Sequence, residues 1–124
     1  MSDVMRLRKR ALQSKHAIEL LANKWRITIL HILREGPLRT REIQTAIPEV
    51  SPKMMTQTLR GMERDGLLTR EVHTTGTRHV AYSLTPMGTS LIPPLQKLCR
   101  WAKANIRRRD LARERFDHLR NMKS

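Results

Sequence analysis

One segment of the sequence, residues 51–70, carries both a start signal and a stop signal for a helix. Ser51 can cap the first turn, and Pro52 suits the first helical position, where its missing N–H is not needed. Asp65-Gly66 then ends the helix, and the pattern changes to an extended one. These boundaries predict one short helix that is followed directly by a strand.

The helix between these two signals has two chemically different faces. At about 100° per residue, Met55, Leu59 and Met62 point to one side. The other side carries long polar side chains: Lys53, Gln57, Arg60 and Arg64. Such side chains can pair with guanine, adenine and phosphate, so this face suits a DNA major groove. Taken alone, the segment fits an ordinary surface helix with solvated charges equally well.

A second short helix is predicted directly upstream, from Thr40 to Ala46, and Pro48 stops it. A tight turn then leads into Ser51. Two short helices joined by such a turn, the second one basic, predict a helix-turn-helix. Before this motif, the apolar spacing predicts two further helices, one from Lys15 and one over Lys24–Glu35.

Two predicted strands follow the basic helix, at Leu67–Val72 and His79–Leu84. The loop Thr74–Thr77 joins them, and Arg78 lies next to it. A hairpin with basic residues near its tip can lie along the DNA backbone or enter the minor groove, where arginine is favoured. The predicted fold class is therefore α+β and mostly α, a winged helix-turn-helix with flanking N- and C-terminal dimerisation helices.

The last third of the chain opens with Thr85-Pro86 and is predicted to be a long helix that Pro93-Pro94 bends or restarts. Apolar side chains form an approximate stripe along it: Leu91, Leu95, Leu98 and Trp101. The stripe lies outside the compact winged unit and needs another surface to shield it from water. A second copy of the chain is the preferred cover, and the chain's own N-terminal helices are the alternative.

The charge pattern divides the chain into three predicted parts. Residues 1–14 form a basic N-terminal arm, and residues 15–102 form the winged helix-turn-helix domain with its dimerisation helix. Residues 103–124 form a basic C-terminal extension, either helical or loosely ordered.

Composition favours a nucleic acid as the partner. Lys and Arg number 25 against 11 acidic residues, a formal net charge of +14, which indicates a polyanionic partner. Aromatic residues make up only 3% of the chain, and single-stranded nucleic acids are recognised by stacking on rings. Double-stranded DNA is therefore the predicted partner, and an anionic membrane surface is a weaker one.

We find no pattern for catalysis or metal binding in the sequence. The five histidines lack metal-ligand spacing, and the single Cys99 cannot complete a thiolate zinc site. No run of residues is apolar enough for a signal peptide or a membrane span, and one cysteine fits a reducing cytoplasm. The sequence predicts a cytoplasmic protein with no enzymatic activity, no cofactor and no metal. Cys99 is expected to be buried and inert.

Ordered motifs over residues 15–102 resemble the HxlR-type winged-helix regulators, which are related to the MarR group. In chain order they are Lys24-Trp25 with Ile29-Leu30, Gly36-Pro37-Leu38-Arg39, Ile47-Pro48 before Val50-Ser51, Lys53-Met54-Met55-Thr56-Gln57 with Leu59, Asp65-Gly66-Leu67, Tyr82-Ser83-Leu84-Thr85 with Gly88, and Trp101. Several ordered pieces at consistent spacing are far more specific than any one of them.

The resemblance implies a homodimeric DNA-binding transcriptional regulator on a pseudo-palindromic operator, and it leaves a small-molecule effector open. It implies base and backbone contacts from the basic helix and phosphate contacts from Arg39 and the wing. The full predicted set is Arg39, Ser51, Lys53, Thr56, Gln57, Arg60, Thr77 and Arg78. Ser51 is expected to serve mainly as a cap. Two alternatives stay open, a sequence-independent architectural DNA-binding protein and a winged-helix module for protein interaction.

The chain departs from the family pattern at three points. Thr40 stands where an aromatic residue is usual, and Thr77-Arg78 stands where the wing often has a proline pair. The N-terminal cysteine through which some members sense oxidants is absent. Separately, Gly61 lies in mid-helix, where glycine costs about 1 kcal/mol relative to alanine, so it marks either a close contact or simple tolerance.

Overall fold

The computed structural model describes residues 2–21 and 23–123. Its helices are α1 (Asp3–Leu20), α2 (Lys24–Ile32), α3 (Thr40–Ala46), α4 (Pro52–Arg64) and α5 (Pro86–Lys123), and a single 3₁₀ turn, Leu33–Glu35, continues α2. Its strands are β1 (Leu38–Arg39), β2 (Leu68–His73) and β3 (His79–Leu84). The chain divides after Ile92 into two compact units. The predicted class, mostly helical with a small antiparallel sheet, is confirmed.

The three strands form one antiparallel sheet in the order β1-β3-β2. The hairpin of β2 and β3 pairs Leu68 with Leu84 at one end and His73 with His79 at the other. Its first strand is displaced by one residue from the prediction, and the second is confirmed. β1 was not predicted, because a two-residue strand has no periodicity of its own. It pairs with β3 at Leu38–Tyr82 and Arg39–Ala81.

The core lies where α2, α3 and α4 pack on one another and on the hairpin. The predicted apolar face of α4 is buried there, with Met55, Leu59 and Met62 each at most 1% exposed. Other core side chains come from α2 and its 3₁₀ continuation, from α3 and the turn after it, and from the wing and the residue before it: Ile29, Leu30, Leu33, Ile43, Ile47, Val50, Leu67, Leu68 and Tyr82. This face packs α4 onto the core, and the opposite face of the helix stays exposed to solvent.

The N-terminal segment is a helix, where the sequence suggested a weakly patterned arm. α1 begins at Asp3, and the Ser2 hydroxyl caps it by accepting the Met5 N–H at 3.3 Å. Its residues include no glycine or proline and many good helix formers, so helix propensity outweighs the missing periodicity. No described residue of α1 is buried.

α5 continues through Pro93-Pro94, where a bend or restart was predicted. The prolines interrupt the backbone ladder without ending the helix, and the division into two compact units falls at the same place. Residues 103–123 are helical, which decides between the two predicted states of the extension. From Lys97 to Lys123 every residue is exposed except Asn105, which is half-buried.

Thr85, just before α5, is anchored to the residues that follow α4 by two hydrogen bonds. Its N–H donates to the Leu67 carbonyl at 3.0 Å, and its hydroxyl donates to the Gly66 carbonyl at 2.6 Å. The same hydroxyl accepts the Gly88 N–H at 3.0 Å, as a helix cap does. Gly88 is so close to this junction that a Cβ there would lie 2.2 Å from the Leu67 carbonyl oxygen.

Candidate nucleic-acid interface

The two ends of α4 have the geometry that the sequence predicts. The Ser51 hydroxyl accepts the Met54 N–H at 3.1 Å, and Pro52 occupies the first turn. At the other end the Leu67 N–H donates to the Met62 carbonyl at 2.9 Å across Gly66, whose φ of 79° lies in the left-handed region. The Ser51 hydroxyl is thus engaged as a cap, as predicted.

The turn between α3 and α4 is held by Gln44, a side chain that was not predicted to have a role. Gln44 donates its amide to the Val50 carbonyl at 2.6 Å, and the Val50 N–H donates to the Ile47 carbonyl at 3.2 Å. These bonds hold the turn that sets the direction of α4 relative to α3. A glutamine on a polar helix face has no sequence signal that distinguishes this role from exposure to solvent.

Four of the predicted contact residues form one exposed face of α4: Lys53, Thr56, Gln57 and Arg60. They lie at i, i+3, i+4 and i+7, a spacing that places them on one side of a helix. The buried side chains of α4 lie on the opposite side. The helix therefore presents two cations, an amide and a hydroxyl together to the outside.

Arg60 has a partner within its own helix that was not predicted. Its guanidinium lies 3.1 Å from the Glu63 carboxylate. The two residues are three apart and both remain partly exposed, so the pair contributes little to stability. It does, however, favour one orientation of the arginine fork on this face.

A basic groove lies between the start of α3 and the wing, with a volume of about 500 Å³. Its lining joins two distant parts of the sequence: Arg39, Thr40 and Arg41 from the first, and Thr77, Arg78, His79 and Val80 from the second. The Thr40 hydroxyl donates to the Val80 carbonyl at 3.4 Å across it. The predicted residues Arg39, Thr77 and Arg78 are thus brought together. Arg41 was missed, although its place in the Arg39-Thr40-Arg41 run is a signal that could have found it.

A smaller groove of about 260 Å³ continues from the first towards α4. It shares Thr40 and Val80 with the basic groove and adds Thr56, Leu59, Arg60, Arg70 and Tyr82. Arg70, on β2, was not predicted. Ser51, Lys53 and Gln57 are exposed on α4 but line neither groove. Thr56 and Arg60 on the exposed face of α4 therefore lie along a groove that adjoins the basic groove at Thr40 and Val80.

Two histidines form the last residue pair of the wing hairpin, next to its loop. The rings of His73 and His79 stack with centroids 4.8 Å apart and planes 16° from parallel. His73 Nε2 lies 3.5 Å from the Glu71 carboxylate, and His79 Nδ1 lies 3.0 Å from the Thr77 carbonyl oxygen. The stack lies at the base of the loop that leads to Arg78.

The side chains of the predicted dimerisation stripe on α5 differ in their exposure to solvent. Leu95 is 3% exposed and Leu91 is half-buried within the single chain. Leu98 and Trp101 are 55% and 65% exposed. Only this second pair is fully available to another molecule. Cys99, between them, is exposed, so the prediction of a buried thiol is wrong for the single chain.

Across residues 2–21 and 23–123, no helix is long and apolar enough to cross a membrane. Among the same residues, His, Cys, Asp and Glu form no group of three that could hold a metal ion.

A capped basic helix on a helix-turn-helix, followed by an antiparallel hairpin with arginines at its edge, defines a winged-helix DNA-binding protein. The HxlR-like helix-turn-helix family matches residues 20–110. The chain belongs to this family, which confirms the resemblance, and its relatives are transcriptional regulators of the helix-turn-helix type.

Individual relatives agree with this assignment. The chain is 42% identical over 83 residues to the uncharacterized HTH-type transcriptional regulator YkvN of Bacillus subtilis (strain 168), covering 67% of this chain and 70% of YkvN. It is similar in structure to a MarR-family protein from Enterococcus faecalis V583, with a TM-score of 0.71, 29% identity, and coverage of 80% of this chain and 90% of that one. The reduced form of the transcriptional regulator YodB from B. subtilis gives a TM-score of 0.67, 34% identity, and coverage of 73% and 88%.

Proposed function

We propose that the protein is a homodimeric transcriptional regulator that recognises a pseudo-palindromic operator in double-stranded DNA. The observation that carries the proposal is the exposed face of α4, where Lys53, Thr56, Gln57 and Arg60 stand together above a buried apolar face. In the proposed complex α4 enters the major groove and its side chains meet base edges. The basic groove takes the phosphate backbone beside it.

The proposed dimer rests on Leu98 and Trp101, large apolar side chains exposed on α5. A two-fold dimer would present two copies of α4 to two half-sites about one helical turn apart, roughly 34–36 Å, or a multiple of it. We place the protein in the cytoplasm, since an operator-binding regulator acts where the DNA is and a single cysteine suits a reducing compartment. The role as proposed involves no catalytic step, cofactor or metal.

The direct test is selection of bound sequences from a random duplex pool at physiological salt. The proposal expects an enriched motif with two-fold symmetry. A bound pool without any enriched motif would instead favour the sequence-independent architectural alternative. Absence of binding would favour the protein-interaction alternative.

Gln57→Ala tests base reading by α4. If the amide makes a paired contact with one base, its loss should cost about 1–3 kcal/mol of binding free energy and relax discrimination at one position in each half-site. Titration of the selected operator and its single-base variants measures both. Gln13→Ala on α1 is the matched control and should leave the titrations unchanged. Equal weakening of all sequences by Gln57→Ala would mean that the residue does not read a base.

Trp101→Asp tests the proposed dimer surface. A carboxylate at the centre of an apolar interface leaves a charge buried without a partner, so the variant should sediment as a monomer and bind the full operator more weakly than the parent protein. Lys103→Ala makes the same charge change about 200° around the helix and should remain dimeric. A dimeric Trp101→Asp variant would rule out this surface.

A further inference from the structure

Arg26 lies where three helices meet. Its backbone belongs to the first turn of α2, and its side chain is 12% exposed. One guanidinium nitrogen, Nη1, donates to the Leu20 carbonyl at 3.1 Å and to the Asp65 carboxylate at 2.6 Å. Leu20 ends α1, and Asp65 is the C-cap of α4. A single side chain therefore connects the ends of α1 and α4.

Gly61 is the place where this side chain passes over α4. A Cβ at position 61 would lie 2.8 Å from Nη2 of Arg26. The guanidinium thus rests against the backbone of α4, closer than any other residue type at position 61 would allow. Of the two explanations that the sequence left open for this mid-helix glycine, the close contact is the one observed.

Electrostatics favours a cation at this junction. The C-terminal ends of α1 and α4 both carry partial negative charge, and Asp65 adds a full one. The guanidinium suits this position because it offers several N–H donors and no acceptor. The arrangement also has a cost, because the buried Nε–H of Arg26 finds no acceptor within the described part of the chain. A partly buried ionic link with such a cost is better suited to defining geometry than to adding stability.

α1 has few other means of attachment. None of its described residues is buried, and large apolar side chains such as Val4, Leu7 and Ile18 are exposed along it. The direction of α1 relative to the rest of its unit therefore depends strongly on contacts at its C-terminal end. The bond from Arg26 to the Leu20 carbonyl is one of these contacts.

We propose that Arg26 is a positioning residue for DNA recognition, although it does not itself touch DNA. It holds the end of α4 against the end of α1. Gly61 is the position on α4 that leaves room for its guanidinium. The orientation of the recognition face, and so the discrimination between operator and other DNA, depends on this link. The inference rests on the function proposed above.

The first test uses Arg26→Met, Gly61→Ala and the double variant. Gly61→Ala pushes the guanidinium away, whereas the double variant removes the clash and gains helix propensity, so its melting temperature should stay within about 5 °C of the parent protein. Its ratio of operator to nonspecific affinity should nevertheless fall by about tenfold, as in Arg26→Met. Arg26→Lys should retain most of the ratio, because one ammonium can replace the single nitrogen that makes both bonds.

A double variant with parental stability and an unchanged ratio would overturn the positioning role. A ratio near one in the parent protein would overturn the proposed operator function instead.

A second measurement does not involve DNA. In a Cys99→Ser background, spin labels at positions 13 on α1 and 53 on α4 report the distance between these helices. Arg26→Met should broaden or shift the distance distribution, and Arg26→Lys should not. An unchanged distribution in Arg26→Met would show that the link does not position α4.

Discussion

Gly88→Ala is expected to lower the free energy of unfolding by about 3 kcal/mol, although alanine is the better helix former. The added Cβ would lie 2.2 Å from the Leu67 carbonyl oxygen. This neighbour is backbone, and its oxygen already accepts the Thr85 N–H, so it cannot move aside without breaking the anchor of α5. The clash therefore outweighs the gain in helix propensity, which is only about 1 kcal/mol.

Thermal unfolding followed by circular dichroism measures the effect, which should appear as a fall in Tm of roughly 10–15 °C. Thr89→Ala is the matched control, since position 89 is exposed and adjacent, and its effect should stay within about 0.5 kcal/mol. If the two variants melted together, the close approach of α5 to Leu67 would be wrong.

The triple variant Arg39→Ala, Arg41→Ala, Arg78→Ala removes the three arginines of the basic groove. It should bind the operator about 100-fold more weakly at low salt. Each arginine that neutralises a phosphate releases a counterion. The slope of log affinity against log salt should accordingly fall by about 2–3 in magnitude. Discrimination between operator and mutated operators should change little, because phosphate contacts carry no direct sequence information.

The matched control removes the same charge elsewhere, as Arg107→Ala, Arg113→Ala and Arg115→Ala on the exposed part of α5. Titrations at several salt concentrations compare the two triple variants. The groove proposal expects a much smaller loss in the control. Equal losses would mean that total charge rather than the groove drives binding, as an architectural DNA-binding protein requires.

The sequence predicted most accurately the elements that have local signals. α3 and α4 have the predicted bounds because their caps, prolines and apolar spacing act within a few residues. The second wing strand is likewise at its predicted position. β1 and the true start of α1 were missed, since the first depends on pairing with β3 and the second has no apolar face to reveal it.

The same distinction holds for the candidate site. The exposed face of α4 followed from helical spacing alone. Arg41 and Gln44 were missed because their roles depend on neighbours from other parts of the fold: Arg41 faces the wing across the basic groove, and Gln44 holds the turn into α4. Leu95 was assigned to a surface stripe, yet it is buried, because helical periodicity says which residues share a side and not what covers them.

Local signals are enough to predict where α4 starts and stops and which of its side chains face outward, because hydrogen bonding at helix ends and a fixed angle per residue depend only on neighbouring residues. The surroundings of α4, in contrast, depend on how the whole chain folds. Folding brings Arg39 and Arg78 to the same groove and places the Arg26 guanidinium over Gly61. These contacts join residues far apart in the chain, and only the packing of a shared core determines their distances.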